Sequence, residues 1–249
     1  MSSPRSWAAV AALAVAVTVW LLALNLSTTL HGYGTTALKA YHPVFMVLGI
    51  TLLLPLALTV SRANFGAAGN ARCGSRAARR RLHAALAAAG SVCVLVGFVI
   101  HFYLNWSAGT AHLPSSEPAS HSPAARTAHV VIGYAVIAAV ALQVAGGAVK
   151  LARAPAKVLP QHGLLGQATF VGGCACIAIA AYFEYAEYEY NPPGTTWTLG
   201  EASVVWVALA ALLAAVFGYR AFAGDEHVTD GDAQLLEEDG AYDDLGELK

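Results

Sequence analysis

The sequence predicts an all-α membrane protein, a bundle of six transmembrane helices, and three observations carry that expectation. The 249 residues are 57% hydrophobic and only 12% charged, about half the charge of an average soluble domain. The apolar residues fall in six unbroken stretches of at least ~18 residues, the length needed to cross a hydrocarbon core of about 30 Å. Lipid offers backbone N–H and C=O groups no partners, and the stretches lack the alternation of barrel strands, so helices are the form open to them.

The stretches run over 7–26, 42–60, 82–104, 129–149, 162–183 and 201–222, all rich in alanine and leucine. The first outruns the apolar region of a signal peptide and lacks a good cleavage site around 25–30, so it reads as a retained first helix. The transmembrane domain is expected over 1–222, with its core at 38–185. Residues 223–249 hold ten of the fifteen carboxylates and read as a disordered, solubilising acidic tail.

Charge sets the topology. If the six stretches alternate, twelve of the fourteen Lys and Arg fall on one side and only Lys39 and Arg126 on the other. The positive-inside rule then places both termini and the loops 61–81 and 150–161 in the cytoplasm. The longest outer loop, 105–127, is rich in Ser, Pro and Ala and opens with Asn105-Trp106-Ser107, a glycosylation sequon close to the membrane. Cys73, Cys93, Cys174 and Cys176 lie in a basic loop or inside apolar stretches, so core packing is expected of them rather than a disulfide framework. The composition offers no nucleic-acid partner; the bilayer is the surrounding expected.

The histidines carry the chemistry. Ionisable residues in spanning helices are rare and mark function. His42 and His129 open the second and fourth helices from the outer side, while His83 and His162 open the third and fifth from the cytoplasmic side. Four consecutive helices packed as a bundle would then hold two bis-histidine sites, the arrangement that holds haem b and favours electron transfer. Ligands at opposite ends of ~20-residue helices would lie on the order of 25 to 30 Å apart. Gly133 and Gly166 follow their histidines by one turn, and Gly49 and Gly90 by two, the small residues a macrocycle edge needs. Any one histidine alone reads equally well as an interfacial anchor. Four together, paired by side, favour the metal.

Here the sequence resembles the cytochrome b561 family. The matching strings are Tyr41-His42-Pro43-Val44-Phe45-Met46-Val47-Leu48-Gly49, Arg81-Leu82-His83, His129-Val130-Val131-Ile132-Gly133 leading to Leu142-Gln143 and Gly146, and His162-Gly163-Leu164-Leu165-Gly166. The first and third are the specific ones. The resemblance implies six helices and two haem b groups, with His42 and His129 as iron ligands on the non-cytoplasmic side and His83 and His162 on the cytoplasmic side. It implies ascorbate as cytoplasmic donor and monodehydroascorbate or a ferric chelate as acceptor, with Arg79, Arg80 and Arg81 placed to hold the donor anion.

The outer substrate site departs from the family pattern. The aromatic platform and Leu-His-Ser-Trp string expected before the fourth helix are replaced by Pro123-Ala124-Ala125-Arg126-Thr127-Ala128-His129. His101, His112, His121 and Arg126 are the polar residues left to serve there.

Two other readings compete. A histidine-dependent metal-ion transporter should carry acidic partners and broken helices at the midplane, yet no stretch has an interior Asp or Glu. A haem-b anchor subunit of a larger redox complex fits the acidic tail. A homodimer is the remaining partner left open.

Overall fold

The computed structural model describes residues 4–32, 38–61, 76–107, 122–152, 161–186 and 197–222, and these are helical almost throughout. Six helices are long and apolar enough to span a membrane. They are α1 (Pro4–Gly32), α2 (Tyr41–Val60), α3 (Arg76–Ser107), α4 (Pro123–Ala152), α5 (His162–Ala186) and α6 (Leu199–Phe222). The acidic tail, Cys73, His112 and His121 lie outside the described residues.

The core is a set of helical stripes. Val10, Ala14, Val17 and Leu21 bury one face of α1, and Val205, Leu209, Leu212 and Val216 bury the facing stripe of α6. Large apolar side chains are also turned outward: Leu142, Leu164 and Val207 are 63%, 69% and 69% exposed. In water such a surface would drive association, whereas against acyl chains it costs nothing. The chain is an integral membrane protein.

Helix α6 opens on a capping box. The Thr198 N–H donates to the Glu201 carboxylate at 2.7 Å, and the Glu201 N–H donates to the Thr198 hydroxyl at 3.2 Å. Farther along, Trp206 Nε1 donates to the Ala178 carbonyl at 2.9 Å and ties α6 to α5.

Helix α2 is not the regular helix its apolar run implies. Residues Leu48–Leu53 form a π-helical stretch just before Pro55. Proline has no N–H to give and its ring crowds the carbonyl four residues back, so the ladder widens there instead of breaking. Within the stretch the Thr51 hydroxyl meets that of Thr18 on α1 at 2.7 Å, both fully buried.

Glycine sets how closely the helices approach. A Cβ on Gly49 would lie 2.7 Å from Val94 Cγ2 and 2.9 Å from the Gly90 carbonyl oxygen. Gly49 and Gly90 are therefore the seam between α2 and α3, not the space beside a macrocycle that their register suggested. Gly172 and Gly173 on α5 serve likewise against Val136 of α4 and Ile50 of α2. Gly133 differs, for a Cβ there would meet nothing within 4 Å.

Candidate functional site

The four sequence-predicted histidines sit on two helix pairs, α2 with α3 and α4 with α5. His42 Nδ1 donates from α2 to the Gly97 carbonyl on α3 at 2.9 Å, and His83 Nδ1 donates from α3 back to the Ala57 carbonyl on α2 at 2.7 Å. In the second pair His129 Nδ1 on α4 donates to the Cys176 carbonyl on α5 at 3.0 Å, while Gln143 Nε2 on α4 donates to the carbonyl of His162 on α5 at 2.8 Å.

These bonds decide tautomers. A carbonyl can only accept, so Nδ1 of His42, His83 and His129 must carry the ring proton, and the lone pair is left on Nε2. An imidazole held this way by its outer nitrogen is what a metal ligand requires. Sequence reading passed over Ala57, Gly97 and Cys176, because they act through their backbone and every residue has a carbonyl.

The spacing repeats in each helix. Ala57 lies 15 residues after His42, Gly97 14 after His83, Gln143 14 after His129 and Cys176 14 after His162. At 1.5 Å per residue each interval is about 21 Å, close to four turns, so ligand and partner share one face. The two ends of the site are therefore about 21 Å apart, nearer than the 25 to 30 Å expected of ligands at the helix tips. Helices α3 and α4 start about two turns before His83 and His129 and hold them inside their ends, whereas His42 and His162 stand at the starts of α2 and α5.

Each end draws one imidazole from each pair. The His83 and His162 ring centroids are 6.3 Å apart. Imidazole–metal bonds are about 2 Å long, so His83 and His162 would both be within reach of one metal ion held between them. The spacing fits an iron between them. At the other end His129 lies within electrostatic range of His42, and the open space at Gly133, one turn along from His129, leaves room for a flat group. Among the described residues no three His, Cys, Asp or Glu side chains converge as they would around zinc.

The remaining candidates separate. The His101 ring lies tilted by 37° against that of His42, centroids 4.7 Å apart, and its Nε2 contacts the Asn105 amide nitrogen at 3.0 Å. Asn105 sits in the last turns of α3 rather than in a loop, and its side chain is engaged. Arg126 is half-buried in the first turn of α4, three residues before His129. Arg79, Arg80 and Arg81 lie on α3 itself, where successive residues turn by 100° and do not converge. Arg79 is half-buried one turn before His83 on its face, while Arg80 and Arg81 are exposed. Lys150, one turn beyond the Gly147 that neighbours the His162 ring, is in electrostatic range of His162. Cys174 and Cys176 are buried and Cys93 partly so, all as free thiols.

The sequence pattern of eukaryotic cytochrome b561 matches residues 41–187, which take in all four histidines and most of the described helices. The chain belongs to the cytochrome b561 family. Comparison with curated proteins and with solved structures found no match. Members of the cytochrome b561 family bind haem b and transfer electrons across the membrane, and transmembrane oxidoreductase chemistry follows for this chain. The residues fit the group: imidazoles from different helices, those of His42, His83 and His129 with Nδ1 tied to a carbonyl, and open space beside Gly133.

Proposed function

We propose that this cytochrome b561 carries electrons outward from cytoplasmic ascorbate, through two haem b groups, to monodehydroascorbate or a ferric chelate. The observation that supports the reading best is the reciprocal bonding within each helix pair, which sets one histidine toward each end of the pair, about 21 Å apart along the helices. His83 and His162 hold the cytoplasmic haem, and His42 and His129 hold the other. The topology rests on the twelve-to-two distribution of Lys and Arg.

When bound, haem b supplies a one-electron iron couple, and two protein ligands leave no open position for oxygen. The protein's own part is positioning. Ala57, Gly97 and Cys176 hold the imidazoles in one tautomer and one orientation. Glycine seams keep the helices close, and the apolar face excludes water between the sites. Arg79, on the face of His83, offers a guanidinium fork to the enolate of ascorbate, while Arg80 and Arg81 anchor the helix end. At the outer rim His101 and Arg126 stand where an anionic acceptor would dock. Histidines that come in pairs, without carboxylates, suit this function better than cation transport.

The test is haem counting. Purified in detergent, the chain should show two haem b by pyridine haemochrome, both reduced by ascorbate. H83A and H162A should lose the same haem, and H42A and H129A the other, told apart by their low-spin resonance signals. A folded chain without haem overturns the function, and a different grouping of the four variants overturns the pairing.

A further inference from the structure

Helix α6 lies wholly beyond the residues that match the family, yet one of its side chains reaches the His83 end of the site. The carbonyls of the last turn of α2 lie where the helix runs out of its own N–H donors. Two adjacent ones are taken from other helices. The Ala57 oxygen accepts His83 Nδ1–H, and the Leu58 oxygen accepts Arg220 Nη1–H, each at 2.7 Å. The Ser61 hydroxyl adds a weaker bond to Leu58 at 3.2 Å. An arginine that only anchored a helix end would turn its guanidinium toward lipid headgroups. Arg220 is half-buried and donates inward, to a backbone 162 residues away in sequence.

We propose that Arg220 is a positioning residue for the haem held by His83 and His162, capping the end of α2 on which His83 is aligned and raising that haem's reduction potential. The inference rests on the ligand assignment made above. A helix C-terminus carries roughly half a negative charge, concentrated on the free carbonyls. The carbonyl that accepts from His83 makes its imidazole electron-rich, which favours the oxidised metal. A fixed cation one peptide away opposes that field. The added electron is therefore stabilised at this haem and hardly at all at the other, about 21 Å away.

The test is a spectroelectrochemical titration of the full chain, with resonance spectra of both haems, in wild type, R220Q, R220M and R220K. The haem that disappears in H83A identifies the signal to follow. R220Q should keep both haems, lower the midpoint of the His83 haem and leave the other in place, while R220K stays near wild type because it keeps the charge. R220M repeats the neutral substitution with an apolar stem and decides the matter if R220Q does not accumulate. Unchanged midpoints in the neutral variants, or equal shifts in both haems, overturn the inference. Loss of no haem in H83A would instead overturn the ligand assignment on which it rests.

Discussion

Replacing Gly49 with alanine should loosen both haems, although it touches neither ligand. In an exposed helix the change would gain about 1 kcal/mol of helix propensity. Here the new methyl would sit 2.9 Å from the Gly90 carbonyl oxygen and 2.7 Å from Val94 Cγ2, against 3.4 Å for ordinary contact. The neighbours must retreat by about 0.5–0.7 Å, and a helix backbone retreats only as a whole, so the overpacking costs about 1–3 kcal/mol. Both ligand-orienting bonds of this helix pair cross the same seam. An opening of about 0.5 Å would take His42–Gly97 from 2.9 Å to about 3.4 Å, past a good N–H···O bond, and His83–Ala57 from 2.7 Å to about 3.2 Å, to its limit. Lost support of this kind lowers metal affinity by about 10–100-fold. The assay is haem transfer to excess apomyoglobin, followed by absorbance, beside thermal unfolding. G49A should release haem at least about tenfold faster, the His42 haem first, and unfold at lower temperature. G218A on α6, whose methyl meets nothing within 4 Å, should not unfold earlier than wild type. Equal haem release in G49A and wild type, or equal unfolding of the two alanine variants, would refute the seam.

Two further outcomes follow from single contacts. Gln143→Leu removes the amide that holds the His162 carbonyl at 2.8 Å and should destabilise by about 1 kcal/mol, with haem loss confined to the His83 and His162 site by resonance spectroscopy. Thr18 and Thr51 share three hydroxyl contacts, to Ala14, Val47 and each other, with only two protons between them. One contact is always unfilled, so a T18V/T51V double-mutant cycle in chemical unfolding should give a coupling near ~0.6 kcal/mol; a value well above ~2 kcal/mol would refute this sharing.

The fold and the four histidines of the candidate site were legible because membranes make them conspicuous. A spanning segment must be long and apolar, and an imidazole inside one has few reasons to be there. The uneven placement of the cations was legible for a similar reason, twelve of the fourteen falling on one side if the segments alternate. Other parts carried no signal. The glycines at 49 and 90 share a register with the histidines and read as space for a cofactor, when they meet each other across a seam. Asn105 satisfied a sequon pattern that says nothing of the helix around it.

By itself the sequence determined what each segment is: six spanning helices and the four histidines set in them. Those follow from transfer between water and lipid, which each stretch obeys without reference to the rest. Only the tertiary structure decided which carbonyl fixes each imidazole, that His101 lies against His42, and that Arg220 caps the helix end aligning His83. These are contacts between residues tens of positions apart or more, made through backbone atoms common to every residue, so their partners exist only once the helices have packed.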